Sequence, residues 1–254
     1  DTSVVNSIST ENNENLVTED GNNIITEAVG KTVSIPMVQS GSYNYWVDWG
    51  DGTSSIQITS YDSPNATHTY TADGEYTIKL IGTLSALQFT GSIATSLKEI
   101  TKCEIGFDSI EAMFKNCVNL TSVVDGIFDK SLNVVSAEST FEGCSSLQII
   151  PMNLFSNNSN ITNFQNTFAS CGLTSIPIGL FDGNNMVTSF KSTFRDCANL
   201  VSIPKGLFDN NKLVTDFQST FIRCSKLSQI PNNLLVNNPA VQTYEYMFTY
   251  KINV

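Results

Sequence analysis

Phenylalanine recurs along the C-terminal part of this chain at a nearly constant interval. Six positions are separated by 27, 27, 26, 27 and 27 residues: Phe114, Phe141, Phe168, Phe194, Phe221 and Phe248. A period of about 20–50 residues is typical of repeat architectures, because one repeat cannot bury its apolar positions alone and must stack on its neighbours. The spacing therefore predicts stacked copies of one structural unit.

Other apolar residues keep the same phase as the phenylalanines. A cysteine follows three residues after each of the first five: Cys117, Cys144, Cys171, Cys197 and Cys224. A leucine comes next, and then a valine or isoleucine, as at Leu200 and Ile203. The single 26-residue step arises at 171–173, where the chain reads CGL instead of C-x-x-L. A one-residue deletion in a turn accounts for it.

Within one repeat the apolar spacing changes along the chain. Four apolar residues are separated by 3, 4 and 3 positions: Val187, Phe190, Phe194 and Cys197. This spacing is typical of one face of an α-helix. The segment 200–203 reads as a short strand that ends at Pro204, because proline cannot donate to a β-ladder. We therefore predict an α/β solenoid for residues 91–254, with about five full copies and caps.

The motifs L-x-x-I-P-x-x-L-F and T-F-x-x-C resemble the leucine-rich repeats of BspA-type bacterial surface proteins and related surface lipoproteins. The resemblance covers about residues 92–254. It implies a surface-exposed protein of host-associated bacteria that binds proteins, with adhesion as the usual role.

Both ends of the repeat region depart from the motif. Leu97 and Ile100 keep the leucine and isoleucine positions but the surrounding residues do not, as expected of a degenerate first coil. At the other end Val254 holds the leucine position, and Lys251 replaces the cysteine. Either the lysine stem covers the last coil, or the natural chain continues into a further coil.

Residues 25–90 show a period of two instead of a repeat, and 77–82 reads as a half-buried strand. The order W-G-D-G-T from Trp49, H-x-Y from His68 and G-x-Y-x-I-x-L from Gly74 resembles the PKD (polycystic kidney disease) domain, an immunoglobulin-like β-sandwich. This implies that Trp49 and Tyr76 are core residues. It also implies an extracellular spacer or a module that binds carbohydrate or protein.

The predicted fold class is therefore multi-domain: an all-β immunoglobulin-like sandwich followed by an α/β leucine-rich-repeat solenoid. Residues 1–24 form a polar leader, which is either a tether to an anchor or an ordinary frayed terminus. Residues 25–90 form the sandwich and 91–254 the solenoid. Since no Pro- or Ser-rich linker separates the two, we predict a fixed junction.

Charge and hydropathy exclude several classes of partner. The formal net charge is −11, and residues 91–254 carry thirteen acidic and eleven basic side chains. A basic face for nucleic acid or anionic membrane is therefore not expected.

No run of 18 apolar residues occurs that could span a membrane. The chain begins at Asp1 without methionine, which suggests that a targeting segment was removed or left out, and a lipid anchor can precede it. We expect an extracellular or outer-surface bacterial protein that is a monomer.

The sequence offers little for catalysis. His68 is the only histidine, and its place in the H-x-Y motif favours a structural role, so we expect no enzyme and no cofactor. The in-phase cysteines favour small buried apolar residues over disulfides, because helices on adjacent coils would lie too far apart for bridges. Four aspartates leave a calcium site open as the alternative to ordinary turn chemistry: Asp48, Asp51, Asp62 and Asp73.

The candidate ligand-binding residues fall in two groups. Trp46, with Tyr43 and Tyr45, forms either an exposed aromatic patch for sugars or proteins, or a surface that packs on the repeats. On a strand, Trp46 and Trp49 face opposite sides, so at most one is core. The second group lies beside the predicted repeat strands: Val201, Ser202, Ser228 and Gln229. We expect a non-catalytic protein that binds protein or glycan ligands through its repeat surface. The alternatives are a structural spacer and a non-catalytic glycan-capture subunit.

Overall fold

The computed structural model describes residues 22–28 and 32–248. Its N-terminal part contains an antiparallel sheet with the strand order β4-β3-β6-β1. Its strands are β1 (Asn22–Ala28), β3 (Tyr43–Asp48), β4 (Ile56–Ile58) and β6 (Gly74–Leu84). A second sheet pairs β2 (Thr32–Ser34) with β5 (Thr67–Thr69), which follows a 3-10 helix at Pro64–Ala66. Most of the predicted leader, together with Lys251 and Val254, lies outside the described residues.

The larger sheet continues into the start of the repeats. The strand β1 pairs with β6 on one side and with β7 (Leu97–Lys102) on the other. In turn β7 pairs in parallel with β8 (Ser122–Val123), which completes a six-stranded sheet in the order β4-β3-β6-β1-β7-β8. The first repeat is therefore hydrogen-bonded directly to the N-terminal sheet. The boundary at residues 90 and 91 stays a prediction.

The predicted fold class is wrong, because an α/β leucine-rich-repeat solenoid requires a helix in each repeat. The described residues contain one α-helix, α1 (Gly91–Ser96), and it has six residues. Strand pairing, isolated bridges and turns make up the remaining architecture. The segment 200–203, which was expected to be a strand, contributes one parallel bridge between Ser202 and Gln229.

Left-handed residues explain why the 3-4-3 spacing does not form a helix. Ser192 has φ 56° and Asp196 has φ 62°, whereas a right-handed helix needs φ near −60° at every residue. Equivalent positions of the other repeats behave alike: Ala112, Asn116, Ser139, Gly143, Asn166, Ser170, Ser219, Arg223 and Tyr246 all have positive φ. Each repeat thus contains two left-handed residues, and the same apolar side chains point inward without a helical backbone.

Backbone hydrogen bonds link each repeat to the next. We call one repeat of 26 or 27 residues a coil. The N–H groups of Phe190, Ser192 and Phe194 donate to carbonyls one coil further on, at 2.9 Å in each case. The residues between them close turns within their own coil, as Thr193 N–H does to the carbonyl of Phe190 at 3.1 Å. Backbone N–H groups along this segment therefore alternate between bonds to the next coil and bonds that close turns within their own coil.

Stacking converts the repeated phenylalanines into a column of rings. Neighbouring rings from Phe114 to Phe248 have centroids 5.2 to 5.6 Å apart. Phe89, which precedes the repeats, stacks on Phe114 at 5.2 Å and extends the column toward the N-terminal sheets. Such offset aromatic pairs contribute about 0.5–1.5 kcal/mol each beyond their area burial.

Polar ladders run beside the phenylalanine column. Four repeat cysteines donate their thiol to the carbonyl of a phenylalanine in the preceding coil, at 3.0 to 3.1 Å. They are Cys144, Cys171, Cys197 and Cys224. All six cysteines are free, and those in the repeats are buried. Buried threonine hydroxyls bond preceding-coil carbonyls in the same way, as Thr193 Oγ1 does to Phe164 at 2.9 Å. These core carbonyls also accept a backbone N–H from their own coil, so the small polar side chains supply their second hydrogen bond.

Candidate binding surfaces at the junction and on the coils

The two tyrosines of β3 belong to the core and not to an exposed patch. Tyr43 and Tyr45 are buried, whereas Asn44 and Trp46, which alternate with them along the strand, point outward. The Tyr43 hydroxyl donates to the carbonyl of Ala86 at 2.9 Å, and burial raises the pKa values of both tyrosines. The predicted three-residue aromatic patch is therefore not formed, because side chains on a strand alternate between its two faces.

Trp46 stands alone on the outer face of the sheet, and its side chain is 46% exposed. Its cross-strand neighbours are Gln57 on β4 and Ile81 on β6. Beside it, Gln57 Nε2 donates to Asn44 Oδ1 at 2.9 Å. Trp49, three residues later, is buried. The alternation of the strand thus separates the two tryptophans as the sequence predicts.

His68 lies in a compact cluster at the edge of the N-terminal core. Its Nε2 atom is 2.7 Å from Asp51 Oδ2, and its ring stacks on Trp49 with centroids 5.0 Å apart. The Tyr70 hydroxyl donates to the carbonyl of Trp49 at 2.8 Å. Although partial burial opposes it, hydrogen bonds from Thr53 and His68 lower the pKa of Asp51. These contacts fix the imidazole, and among the described residues no hydroxyl or thiol is hydrogen-bonded to it.

Three of the four aspartates considered for calcium accept hydrogen bonds from their own turns. Asp48 Oδ1 accepts from the Gly50 N–H at 2.9 Å, and Asp51 Oδ1 accepts from Thr53. Asp62 accepts from the hydroxyl of Ser60. Within residues 22–28 and 32–248, no three side chains from His, Cys, Asp and Glu are grouped closely enough to hold a metal ion.

Val201, Ser202, Ser228 and Gln229, the candidates beside the strands predicted from sequence, lie next to one another on adjacent coils. The N–H groups of Ser228 and Gln229 donate to the carbonyl of Val201 at 3.0 and 3.3 Å. Val201, Ser228 and Gln229 are exposed, and Ser202 is half-buried. In the described part of the chain, no hydrogen bond or ring contact connects this group to Trp46.

A second coil surface, which the sequence did not single out, is more regular. Parallel bridges join one position of successive coils: Ser136, Asn163, Ser189, Asp216 and Thr243. Two residues later each coil presents a further polar side chain: Glu138, Gln165, Lys191, Gln218 and Glu245. We call these ten positions the ladder face. Because the sequence pattern suggested an α-helix here, the alignment of these side chains was not predicted.

Side chains on the ladder face interact from coil to coil. Glu138 accepts hydrogen bonds from Asn163 Nδ2 at 3.0 Å and from Gln165 Nε2 at 3.3 Å. Beside it, Lys115 Nζ lies 2.9 Å from Glu142 Oε2, and Arg195 Nη2 lies 3.6 Å from Glu142 Oε1. Partial burial opposes ionisation of Glu142, but these partners together hold its pKa below the usual range. The surface is thus a network of fixed charges and amides.

A cleft of about 370 Å³ lies where the ladder face meets the N-terminal sheets. One wall comes from the segments 38–40 and 86–88, and the other from the first two coils. The coil wall includes Glu111, Lys115 and Glu138. We call this the junction cleft. It brings together segments that lie up to about 100 residues apart in the sequence, so no local motif reveals it.

Asp196 connects two coils through Arg223, and its contribution should depend on pH. Arg223 donates to both carboxylate oxygens, with Nη2 2.6 Å from Oδ2. These hydrogen bonds and the nearby cationic charge lower the pKa of Asp196 below 3.8, against partial burial. A group with a lowered folded pKa stabilises the fold above its unfolded pKa, and this contribution is lost as pH falls through the folded pKa.

We expect Asp196→Asn to reduce the free energy of unfolding by up to about 1 kcal/mol near neutral pH, as for other surface ion pairs. Asparagine tolerates positive φ, so the change tests charge without adding backbone strain. Urea titrations from neutral pH down to below pH 3.8 should show the difference from the native chain shrinking. Asp108→Asn, at an exposed position, is the control. A difference that persists unchanged into acid would contradict the prediction.

The chain matches no protein-family model, and no curated protein is significantly similar to it. Among the described residues, no helix is long and apolar enough to cross a membrane.

Proposed function

We propose that this chain is a non-catalytic binding module, secreted or displayed at a bacterial cell surface, which holds a protein or glycan through its repeat surface. The ladder face carries this proposal. Its backbone positions are held in register by parallel bridges, while its side chains change from coil to coil. A constant scaffold with varied polar side chains is how repeat proteins build extended binding surfaces.

The chemistry of the nucleophiles supports the non-catalytic part of the proposal. A catalytic cysteine must form a thiolate, but burial raises the pKa values of Cys103, Cys117, Cys171, Cys197 and Cys224. The only histidine is bound to Asp51 and stacked on Trp49. A serine or cysteine nucleophile would have to be hydrogen-bonded to this imidazole, and among the described residues none is.

Trp46 supports a second candidate, a glycan-capture subunit that binds through the N-terminal sheet. An exposed indole flanked by the amides of Asn44 and Gln57 combines an apolar plate with hydrogen-bonding groups. In this alternative the coils serve as a support. A structural spacer without any ligand is the third possibility.

Surface variants of the intact chain separate these functions. The labelled protein is applied to arrays of glycans and extracellular proteins, and hits are quantified by surface plasmon resonance. We expect Gln165→Arg with Gln218→Arg, on the ladder face, to weaken binding at least tenfold, whereas Asn185→Arg, exposed elsewhere on a coil, leaves it unchanged. Loss with Trp46→Ala instead favours glycan capture. The absence of any ligand in both arrays would overturn the binding proposal.

Truncation is a poorer test than surface substitution. The strand β1 is hydrogen-bonded to both β6 and β7, so removing residues 92–254 exposes one edge of the N-terminal sheet. An unpaired edge promotes aggregation. Loss of binding in such a fragment would not distinguish a missing site from a damaged sheet.

A further inference from the structure

We infer that the junction cleft is a binding site for a short, neutral oligosaccharide. The inference rests on the proposed binding function and names one site and one ligand class for it. The cleft is continuous with the ladder face, because Glu138 belongs to both. Its volume of about 370 Å³ falls within the usual range for ligand pockets, about 300–1,000 Å³.

The walls of the cleft are held in place by backbone hydrogen bonds across the junction. The Gln88 N–H donates to the carbonyl of Pro36 at 2.9 Å, and the Phe89 N–H donates to the carbonyl of Met113 at 2.8 Å. The Tyr43 hydroxyl is bonded to both Val38 and Ala86. A ligand therefore enters a preformed site and does not have to order loops, which reduces the cost of binding.

The polar groups of the cleft match hydroxyl groups. Glu111 and Glu138 contribute carboxylate oxygens as acceptors, whereas the Lys115 ammonium group contributes donors only. A hydroxyl can donate to a carboxylate and accept from an ammonium group at the same time. Glu142 holds Lys115 in position at 2.9 Å and remains ionised, because hydrogen bonds and nearby cations lower its pKa.

The same groups disfavour other small ligands. Two carboxylates against one ammonium group repel a phosphate or an acidic sugar. A wholly apolar ligand would leave the charged groups desolvated without partners, which is costly. Val38, Ala86 and Leu87 supply apolar surface between the polar groups, as the C–H faces of a sugar ring require. The volume corresponds to roughly a dozen water molecules at about 30 Å³ each, which suits one or two rings.

A substitution that fills the cleft tests the site directly. Isothermal titration calorimetry of the intact chain uses cello-, malto- and chito-oligosaccharides of two to four units, with tetralysine as a cationic peptide probe. We expect at least one saccharide to bind in the millimolar to micromolar range. Ser40→Trp, which places an indole in the cleft from an exposed turn, should weaken that binding at least tenfold. Ser159→Trp, exposed on a coil outside the cleft, should leave it unchanged.

A second variant probes the same site without filling it. Gln88→Leu removes a hydrogen-bonding amide from the lining and should also weaken saccharide binding, with the thermal unfolding midpoint unchanged. Binding of every saccharide equally to the native chain and to Ser40→Trp would overturn the inference. The inference would also be overturned if no saccharide bound the native chain. It would likewise be overturned if Ser40→Trp weakened the binding of tetralysine but not of any saccharide. If the saccharides fail while an array ligand binds the native chain and Ser40→Trp equally, the proposed function stands and only the cleft is refuted.

Discussion

Phe168→Ala should destabilise the protein by about 3–5 kcal/mol, as expected for a phenylalanine removed from a well-packed core. Phe168 is fully buried and lies in the middle of the ring column. Its centroid is 5.6 Å from that of Phe141 and 5.5 Å from that of Phe194, with the rings nearly parallel. The substitution therefore removes two stacked ring contacts and a tilted contact with Phe155, and it leaves a cavity between two coils. Both coils are held by backbone hydrogen bonds and cannot close around it freely.

The effect should spread beyond the site, because stability in a stacked repeat protein depends mainly on the interfaces between neighbours. Urea unfolding followed by circular dichroism measures the loss in free energy of unfolding. Ile178→Ala is the control, since this side chain is 73% exposed on the same coil, and its change should stay within about 0.5 kcal/mol. A loss below about 1 kcal/mol at Phe168 would show that the ring column contributes little to stability.

The repeat period and the identity of the buried residues were predictable from sequence, but the backbone path was not. The phenylalanine, cysteine and leucine columns are buried along the coils except at Leu227 and Phe248, which are half-buried, since apolar residues at a fixed period have to meet their equivalents. The predicted helix is interrupted at Ser192 and Asp196, where left-handed backbone gives the same side-chain spacing as a helix. Both are among the polar residue types that occur in turns. Spacing alone cannot separate the two geometries.

The candidate surfaces show the same division between local and long-range information. The exposure of Trp46 and the burial of Trp49 follow from strand alternation, which is local. The same alternation buries Tyr43 and Tyr45, so two of the three aromatic residues expected to form an exposed patch lie in the core. The junction cleft depends on how β1 joins β6 to β7, and a single sequence does not reveal strand pairing between distant segments. Neither the cleft nor the ladder face could therefore be predicted.

Asn184→Asp should be the second strongly destabilising change, although the two side chains have nearly the same shape. Asn184 is fully buried, and its Nδ2 donates to the carbonyls of Phe155 at 3.1 Å and Asn158 at 2.9 Å. The same pair of bonds recurs at Asn158, Asn211 and Asn238, so the amides form a ladder through the core. Aspartate replaces the donor with an ionised oxygen that faces two carbonyl oxygens.

An unpaired buried carboxylate of this kind should cost about 3–5 kcal/mol at neutral pH. Burial without a cationic partner raises the folded pKa of the new carboxyl group above its unfolded value, so the loss should diminish as pH falls through the raised pKa. The protonated acid can then donate to one of the two carbonyls. Asn185→Asp, at the exposed neighbouring residue, is the matched control and should show neither effect.

Because Asn184 Oδ1 has no hydrogen-bond partner among the described residues, Asn184→Leu should be less destabilising than Asn184→Asp near neutral pH. Equal losses for the two variants would mean that the lost Nδ2 hydrogen bonds, and not the buried charge, determine the cost, and this would contradict the prediction.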